Sequence, residues 1–215
     1  MEAGNRRPIR ARSLGWVNRA ATLLAASGVT PNQISAFSVV VSLLVPLGLM
    51  LFGNDRWAGV LLAAAGIQLR LLCNLLDGMV AIEGAKKGAL GDIYNEFPDR
   101  LSDTIILLGI AYSVHGLPAV HALGWAASFF AAMTAYTRVL GASVGTRHYY
   151  AGPMAKQHRM ALLTVVLLSV PFADRLGLAP DRTIAITLAV ICLGAAATCG
   201  NRLRLIAAEL RARPR

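Results

Sequence analysis

The chain has 215 residues, a length that suits one domain of moderate size. Hydrophobic residues make up 56% of it and charged residues 15%, against about 25% in soluble globular domains. This composition excludes an ordinary water-soluble enzyme and predicts an all-α integral membrane protein, because six apolar segments of about 20 residues use up most of the length. The net charge of +10 comes from basic residues that flank these segments, so membrane topology explains it better than nucleic-acid binding.

The first 30 residues are predicted to form a cytoplasmic tail followed by an amphipathic helix that lies on the membrane surface. Residues 1–12 are polar and rich in arginine, and no apolar run follows at once, which is unlike a signal peptide. From Ser13 to Ala26 apolar side chains recur at helical spacing, at Leu14, Val17, Ala21 and Leu24.

The six apolar segments lie in residues 31–200, which we predict to be the transmembrane catalytic domain. Thr30, Pro31 and Gln33 are typical of a helix start, with Thr30 as the N-cap and Pro31 as the first helical residue. The predicted membrane helices cover residues 33–52, 57–82, 90–114, 119–144, 160–172 and 183–200. The fifth is short, and a start near Lys156 is an alternative. Residues 201–215 are predicted to be a basic cytoplasmic tail.

The basic residues predict which side of the membrane each loop faces. Of the 21 Lys and Arg residues, fifteen fall in one set of loops and tails and three in the other set. The remaining three lie inside predicted helices: Arg70, Arg100 and Arg138. Because loops rich in Lys and Arg stay on the cytoplasmic side, both termini are predicted to be cytoplasmic.

Acidic residues are concentrated between positions 77 and 103, which hold six of the eleven in the chain. Carboxylates at membrane depth are costly unless they are paired or bind a metal ion. One face of the third predicted helix carries Asp92, Glu96, Asp99 and Asp103, with Asn95 beside them. Asn74 and Asp77 lie one turn apart on the second predicted helix and can face this stripe. Oxygen ligands from two helices suit Mg²⁺ or Mn²⁺.

These positions resemble the signature of the CDP-alcohol phosphotransferase family, Asp-x-x-Asp-Gly-x-x-Ala-Arg, eight residues, then Gly-x-x-x-Asp-x-x-x-Asp. The residues that match at the family's own intervals are Asp77, Gly78, Ala81, Gly91 and Asp99. The segment Pro31–Ser35 and six spans behind an interfacial amphipathic helix also resemble that family. The resemblance covers nearly the whole chain and implies the family's fold.

Three positions depart from the signature. Asn74 and Asn95 stand where the first and third aspartates are expected, and Ile82 stands where the arginine is expected. In the family the first three aspartates hold one metal ion, and the first, third and fourth hold a second. The resemblance therefore implies a metal set of Asn74, Asp77, Asn95 and Asp99 that has lost two negative charges. Glu83 follows Ile82 and Glu96 follows Asn95, so these two carboxylates are candidate auxiliary acids that restore part of the lost negative charge.

The resemblance also implies a function in membrane phospholipid synthesis. A family member transfers a substituted phosphate from a CDP-linked donor, here most readily phosphatidyl from CDP-diacylglycerol, to an alcohol, and releases CMP. Asp99 matches the fourth aspartate and is the candidate base for the hydroxyl proton. Nucleotide contacts are implied for Gly78, Ala81 and Gly91. The family also has basic residues that hold a phosphate of the donor or the acceptor. The resemblance implies this role for Arg138, Arg147, Lys156 and Arg159.

Further expectations follow from the resemblance and from the charge distribution. The active site is predicted on the cytoplasmic face of a membrane, most simply a bacterial inner membrane, and a homodimer is a candidate assembly because the family often dimerises. Asp103 lies outside the signature, so we expect its substitution to cost far less activity than substitution of Asp99. No residue identifies the acceptor alcohol.

Several alternatives stay open at this point. The two asparagines also permit a catalytically silent relative that binds a nucleotide-linked lipid or serves as an assembly subunit. Intramembrane charges occur in transporters too, although here they cluster near the cytoplasmic ends of two helices. Asp77 and Asp99 can also pair with an intramembrane arginine in a purely structural network. For Arg147 and Arg159, ordinary basic loops are an equal explanation.

Overall fold

A computed structural model describes residues 15–51, 56–83, 90–177 and 179–213. The described residues form helices and no strand, which confirms the all-α prediction. The helices are α1 (Gly15–Ala26), α2 (Pro31–Ser42), α3 (Leu44–Met50), α4 (Arg56–Glu83), α5 (Gly91–Tyr112), α6 (Pro118–Ser143), α7 (Lys156–Arg175) and α8 (Pro180–Arg211). The predicted tail at residues 1–12 lies outside the described residues. The chain forms two compact units that divide within α5, between Ile106 and Leu107.

Helix α1 has the predicted apolar face, but this face packs against protein. Val17 and Ala21 are buried in a cluster that includes Leu76, Met79 and Val80 of α4. Trp16, on another face of α1, is exposed. Burial of small apolar side chains between α1 and α4 therefore holds α1 in place, and its position on a membrane surface stays a prediction.

The first predicted membrane helix is divided into α2 and α3. Thr30 and Gln33 form the expected capping box, in which each side chain accepts a hydrogen bond from the other residue's backbone. The helix is interrupted at Leu43, between Ser42 and Leu44. Pro46 explains this interruption, because it has no N–H to donate to the carbonyl of Ser42 four residues earlier.

Small residues let α3 approach α4 closely. An added Cβ at Gly48 would lie 2.5 Å from the carbonyl oxygen of Gly59 and 2.8 Å from the backbone nitrogen of Ala63. An added Cβ at Gly66 would lie 2.9 Å from Cβ of Leu44. Such close packing of helices through small residues is common in membrane proteins, where it maximises van der Waals contact.

Helix α8 extends further than predicted. It continues past Gly200 to Arg211, so the residues taken as the start of a tail are helical. Arg202 and Ile206 are buried, and Ile206 packs beside Gly141 of α6. Contacts with α6 therefore continue the helix beyond its apolar stretch. Helix α7 begins at Lys156, so the alternative start of the fifth predicted helix agrees with the structure and the start at residue 160 is wrong.

Three of the described segments are long and apolar enough to cross a membrane: Pro31–Met50, Arg56–Ile82 and Pro180–Arg211. Helices are also present where the other three membrane spans are predicted, as α5, α6 and α7. The first 13 residues of α5 include five charged side chains, which lowers its hydropathy. A count of six spans stays a prediction, as does the domain division at residues 30 and 200.

Gly48→Ala is expected to destabilise the protein by about 1–3 kcal/mol, because the new methyl group would collide with the backbone of α4. The matched control is Gly200→Ala in α8, where an added Cβ meets no described atom within 4 Å. This control should be neutral or should stabilise the helix by up to about 1 kcal/mol. Melting temperatures in detergent measure both effects. Equal melting temperatures for the two variants would contradict the close contact of α3 with α4.

Candidate active site

Asp77 is buried on α4 and accepts a hydrogen bond from α2. Its residue exposure is 5%, and the hydroxyl of Ser35 donates to its Oδ2 at 2.6 Å. Arg70 and Asn74 precede Asp77 by seven and three residues, so helical geometry puts the three on one face of α4. This face also carries Gly78 and Ala81 nearby, both of which are half-buried.

Arg70 joins α4 to the acidic stripe of α5. Its residue exposure is 0%, and its Nη2 donates to Oδ1 of Asp103 at 2.7 Å and to Oδ1 of Asp99 at 3.3 Å. The same nitrogen donates to the backbone oxygen of Asp99 at 3.1 Å. Its Nε and Nη1 are buried and have no hydrogen-bond partner among the described residues. The guanidinium is therefore held chiefly by two carboxylates.

A second arginine, Arg100, is partly exposed and forms ion pairs with two carboxylates of the same stripe. Nη2 of Arg100 lies 3.5 Å from Oδ2 of Asp99 and 3.4 Å from Oε2 of Glu96. The side chain of Asp99 is 15% exposed and that of Arg100 is 24% exposed. Asp99 thus lies between a buried and a partly exposed arginine, and it stays accessible from one side.

The other predicted site residues of α4 and α5 are less buried than Asp77 and Arg70. Asn74 is half-buried, Asn95 is exposed, and an added Cβ at Gly91 would meet no described atom within 4 Å. Among the described residues, the space beside Gly91 is therefore open. Glu83 is the last residue of α4, and its side chain lies outside the described part of the structure.

The four basic residues predicted to hold a phosphate lie in the unit that follows Ile106, and they have different surroundings. Cζ of Arg138 lies 5.5 Å from the ring centre of Tyr150, and Cζ of Arg147 lies 5.0 Å from that of Tyr149. Hydrogen bonding with Tyr149 raises the pKa of Arg147, whose side chain is exposed. Lys156 is half-buried at the start of α7.

Arg159 is instead completely buried. Its Nη1 donates to the backbone oxygen of Met154 at 3.0 Å, so this guanidinium braces the loop before α7. Arg202 has a similar role on α8, where it donates to backbone oxygens of Thr134, Tyr150 and Ala151. The sequence prediction counted Arg202 as part of a basic tail. The signal that was missed is the helical spacing of Arg202, Ile206 and Glu209.

Two curated relatives place the chain in a family. Over 143 residues it is 32% identical to the inner membrane protein YnbA of Escherichia coli K12, and the match covers 66% of this chain and 68% of that protein. Over 95 residues it is 34% identical to archaetidylinositol phosphate synthase of Pyrococcus horikoshii, covering 44% of this chain and 47% of that enzyme. The chain belongs to the CDP-alcohol phosphotransferase family. No protein-family model matches it.

The fold of this CDP-alcohol phosphotransferase family member agrees with solved structures. Phosphatidylinositol phosphate synthase PgsA1 of Mycobacterium tuberculosis with CDP-DAG bound has a TM-score of 0.69, covering 88% of this chain and 92% of that chain. The complex of PgsA1 with manganese and citrate also has a TM-score of 0.69, covering 88% of both chains. The sequence identity is 17% in each case, so the likeness establishes the fold alone.

The donor atoms of the predicted metal set fit a hard divalent cation. Asn74, Asp77, Asn95 and Asp99 offer oxygen atoms only, as Mg²⁺ and Mn²⁺ prefer. Two of these four residues are carboxylates. Among the described residues, no group of three or more His, Cys, Asp or Glu side chains is arranged to hold a metal ion. Weak binding of a free cation by this set, and tighter binding together with an anionic ligand, stays a prediction.

Asp103→Asn is expected to destabilise the protein by about 3 kcal/mol, because it removes the charge closest to the buried guanidinium of Arg70. The sequence analysis assigns Asp103 little effect on activity, whereas in the structure it makes the shortest ion pair of Arg70. The matched control is Asp92→Asn, an exposed residue in the first turn of α5, which should cost at most about 1 kcal/mol. Thermal unfolding in detergent compares them. A loss for Asp103→Asn no larger than that for Asp92→Asn would contradict this role of Asp103.

Proposed function

We propose that this chain is a metal-dependent membrane enzyme that transfers a phosphatidyl group from CDP-diacylglycerol to an alcohol and releases CMP. The observation that carries the proposal is the family signature itself, whose Asp77 and Asp99 lie on α4 and α5, the two helices that Arg70 connects. The names of the relatives support the reaction class, since two are phosphatidylinositol phosphate or archaetidylinositol phosphate synthases. One of the similar structures has CDP-DAG bound.

The donor is proposed to bind through its pyrophosphate. Asn74, Asp77, Asn95 and Asp99 would hold Mg²⁺ or Mn²⁺, which supplies positive charge to neutralise the phosphoryl oxygens and the CMP leaving group. The complex of PgsA1 with manganese supports this choice of ion. The open space beside Gly91 allows a nucleotide to approach the backbone of α5, and Gly78 and Ala81 keep the facing surface of α4 small.

Asp99 is proposed as the general base. In the reaction, the acceptor oxygen forms a bond to the β-phosphorus of the donor, the bond from that phosphorus to the oxygen of CMP breaks, and the hydroxyl proton passes to a carboxylate. Asp99 is partly exposed, so an acceptor hydroxyl can reach it. Arg70 and Arg100 contact its two carboxylate oxygens and orient them.

The acceptor is proposed to be a phosphorylated alcohol. Both named classes of synthase among the relatives form an inositol phosphate lipid. The exposed guanidinium of Arg147 and the half-buried side chains of Arg138 and Lys156 offer positive charge for a phosphate. Arg159 is proposed to support that loop through its hydrogen bond to Met154.

The surroundings are proposed to be a bacterial inner membrane, with six spans and with the termini and the active site on the cytoplasmic side. The relative YnbA is an inner membrane protein by name. Many large apolar side chains are exposed, among them Phe37, Met50, Phe129 and Leu193, which is typical of a surface in contact with lipid. A homodimer through membrane helices is the proposed assembly.

Purified protein in detergent is expected to release CMP from CDP-diacylglycerol when Mg²⁺ or Mn²⁺ and a suitable alcohol are present. Exhaustive chelation should abolish release, and the metal ion should restore it, because the amide-containing site needs the cation to neutralise the pyrophosphate. Labelled CDP-diacylglycerol and a panel of free and phosphorylated alcohols identify the lipid product. Turnover that survives chelation would contradict metal dependence. No CMP release with any alcohol would favour the second candidate, a silent relative, which Asn74 and Asn95 permit.

Asp99→Asn is expected to lower the rate of CMP release by roughly two to four orders of magnitude, the usual contribution of a general base. The fold should survive, because Asp103 still binds Arg70 at 2.7 Å. Asp92→Asn serves as the control, since it removes a carboxylate from the exposed start of α5. Binding of CDP-diacylglycerol is measured for both variants alongside turnover. Normal turnover by a folded Asp99→Asn protein would remove the base assignment.

A further inference from the structure

Arg70 occupies the kind of position that a metal ion takes between carboxylates. One nitrogen of the guanidinium contacts an oxygen of Asp99 and an oxygen of Asp103. The side chain is completely buried, and its other two nitrogens have no hydrogen-bond partner among the described residues. A buried guanidinium with so few hydrogen bonds is stabilised mainly by the negative charge beside it.

The net charge around this contact equals the charge that one divalent cation neutralises. The cluster consists of two positive and four negative side chains. Five of them are ion-paired, namely Arg70, Arg100, Glu96, Asp99 and Asp103, and the sixth is Asp77, which lies two turns after Arg70 on the same face of α4. Its net charge is −2, which one divalent cation neutralises. Without Arg70 the same side chains would carry −3, so the guanidinium supplies part of the positive charge that a second cation would otherwise supply. Asn74 and Asn95 remove two further negative charges that the family signature has at these positions.

We propose that Arg70 is a built-in substitute for one metal ion, so that this chain binds a single divalent cation. The inference rests on the proposed function, because it assigns the remaining cation to the donor site. Arg70 holds Asp99 and Asp103 in place permanently, and the exchangeable cation uses the oxygens of Asn74, Asp77, Asn95 and Asp99. A second divalent ion between Asp99 and Asp103 would be repelled by the guanidinium that already lies there, and this repulsion is strong where water is excluded.

The first test counts Mn²⁺ ions on the full-length wild-type protein in detergent with a non-reactive CDP-diacylglycerol analogue. Calorimetry should give one Mn²⁺ per chain, and the electron paramagnetic resonance spectrum should be that of an isolated ion. Two Mn²⁺ per chain with a spin-coupled spectrum, in a protein that releases CMP, would overturn the inference and leave the proposed function intact. Absence of both Mn²⁺ binding and CMP release would overturn the proposed function as well.

The second test asks whether a cation can replace Arg70. Arg70→Gln should have a lower melting temperature than the wild type without metal, because Asp99 and Asp103 lose the charge between them. Mn²⁺ should then raise the melting temperature of this variant by about twice the wild-type shift or more, since the ion binds the vacated carboxylates and stabilises the folded state. Melting curves report this effect even when the metal-free variant is largely unfolded.

Arg202→Gln is the matched control. Arg202 is also a buried arginine, but the hydrogen bonds described for it go to backbone oxygens of Thr134, Tyr150 and Ala151. This variant should also be destabilised, and Mn²⁺ should shift its melting temperature no more than that of the wild type. If Mn²⁺ stabilises Arg70→Gln by no more than it stabilises the wild type or Arg202→Gln, Arg70 has a structural role only and the inference is wrong.

Discussion

The contact of Arg70 with Asp99 and Asp103 is the constraint on which the packing of α4 with α5 depends. Both residues of α5 lie in the N-terminal unit, the compact unit that ends at Ile106. The completely buried guanidinium of Arg70 is held chiefly by these two carboxylates, so it fixes α4 against one turn of α5. Helices joined by a short connection run antiparallel. From this contact toward the connection, α4 therefore presents Asn74 and Asp77, and α5 presents Asn95 and Gly91. The family signature lies on that side of the contact.

The buried arginines of the two units have different hydrogen-bond acceptors. In one unit the acceptors are chiefly backbone oxygens, and in the other they include carboxylates. Arg159 and Arg202 donate to backbone oxygens of the loop between α6 and α7, and these acceptors carry no net negative charge. Arg70 and Arg100 donate to carboxylates, which leaves an acidic excess with Asp77 nearby on α4. An acidic excess attracts a cation, whereas satisfied carbonyls do not. This contrast supports the proposed placement of the cation in the N-terminal unit.

Most helices could be predicted from local sequence signals, because apolar length and capping residues act within a few turns. Thr30 and Gln33 specified the start of α2, and signature spacing specified which residues of α4 and α5 to compare. Features that depend on distant partners could not be predicted. The extension of α8 depends on Ile206 meeting Gly141, and the role of Asp103 depends on its distance from Arg70. The sequence offered three arginines as partners for the acidic stripe without a way to choose between them.

The charged half of α5 lowers its hydropathy, and its ion pairs explain how it can still be the membrane span that the sequence predicts. Of the five charged side chains in its first 13 residues, four are paired: Glu96 and Asp99 with Arg100, and Asp99 and Asp103 with Arg70. Pairing removes most of the cost of placing charge at membrane depth, so a helix of this kind can enter a membrane that its composition argues against. The remaining charged residue, Asp92, is exposed in the first turn, where the N-terminus of a helix favours a carboxylate. This pairing therefore makes the carboxylates of α5 compatible with the membrane span that the sequence predicts there.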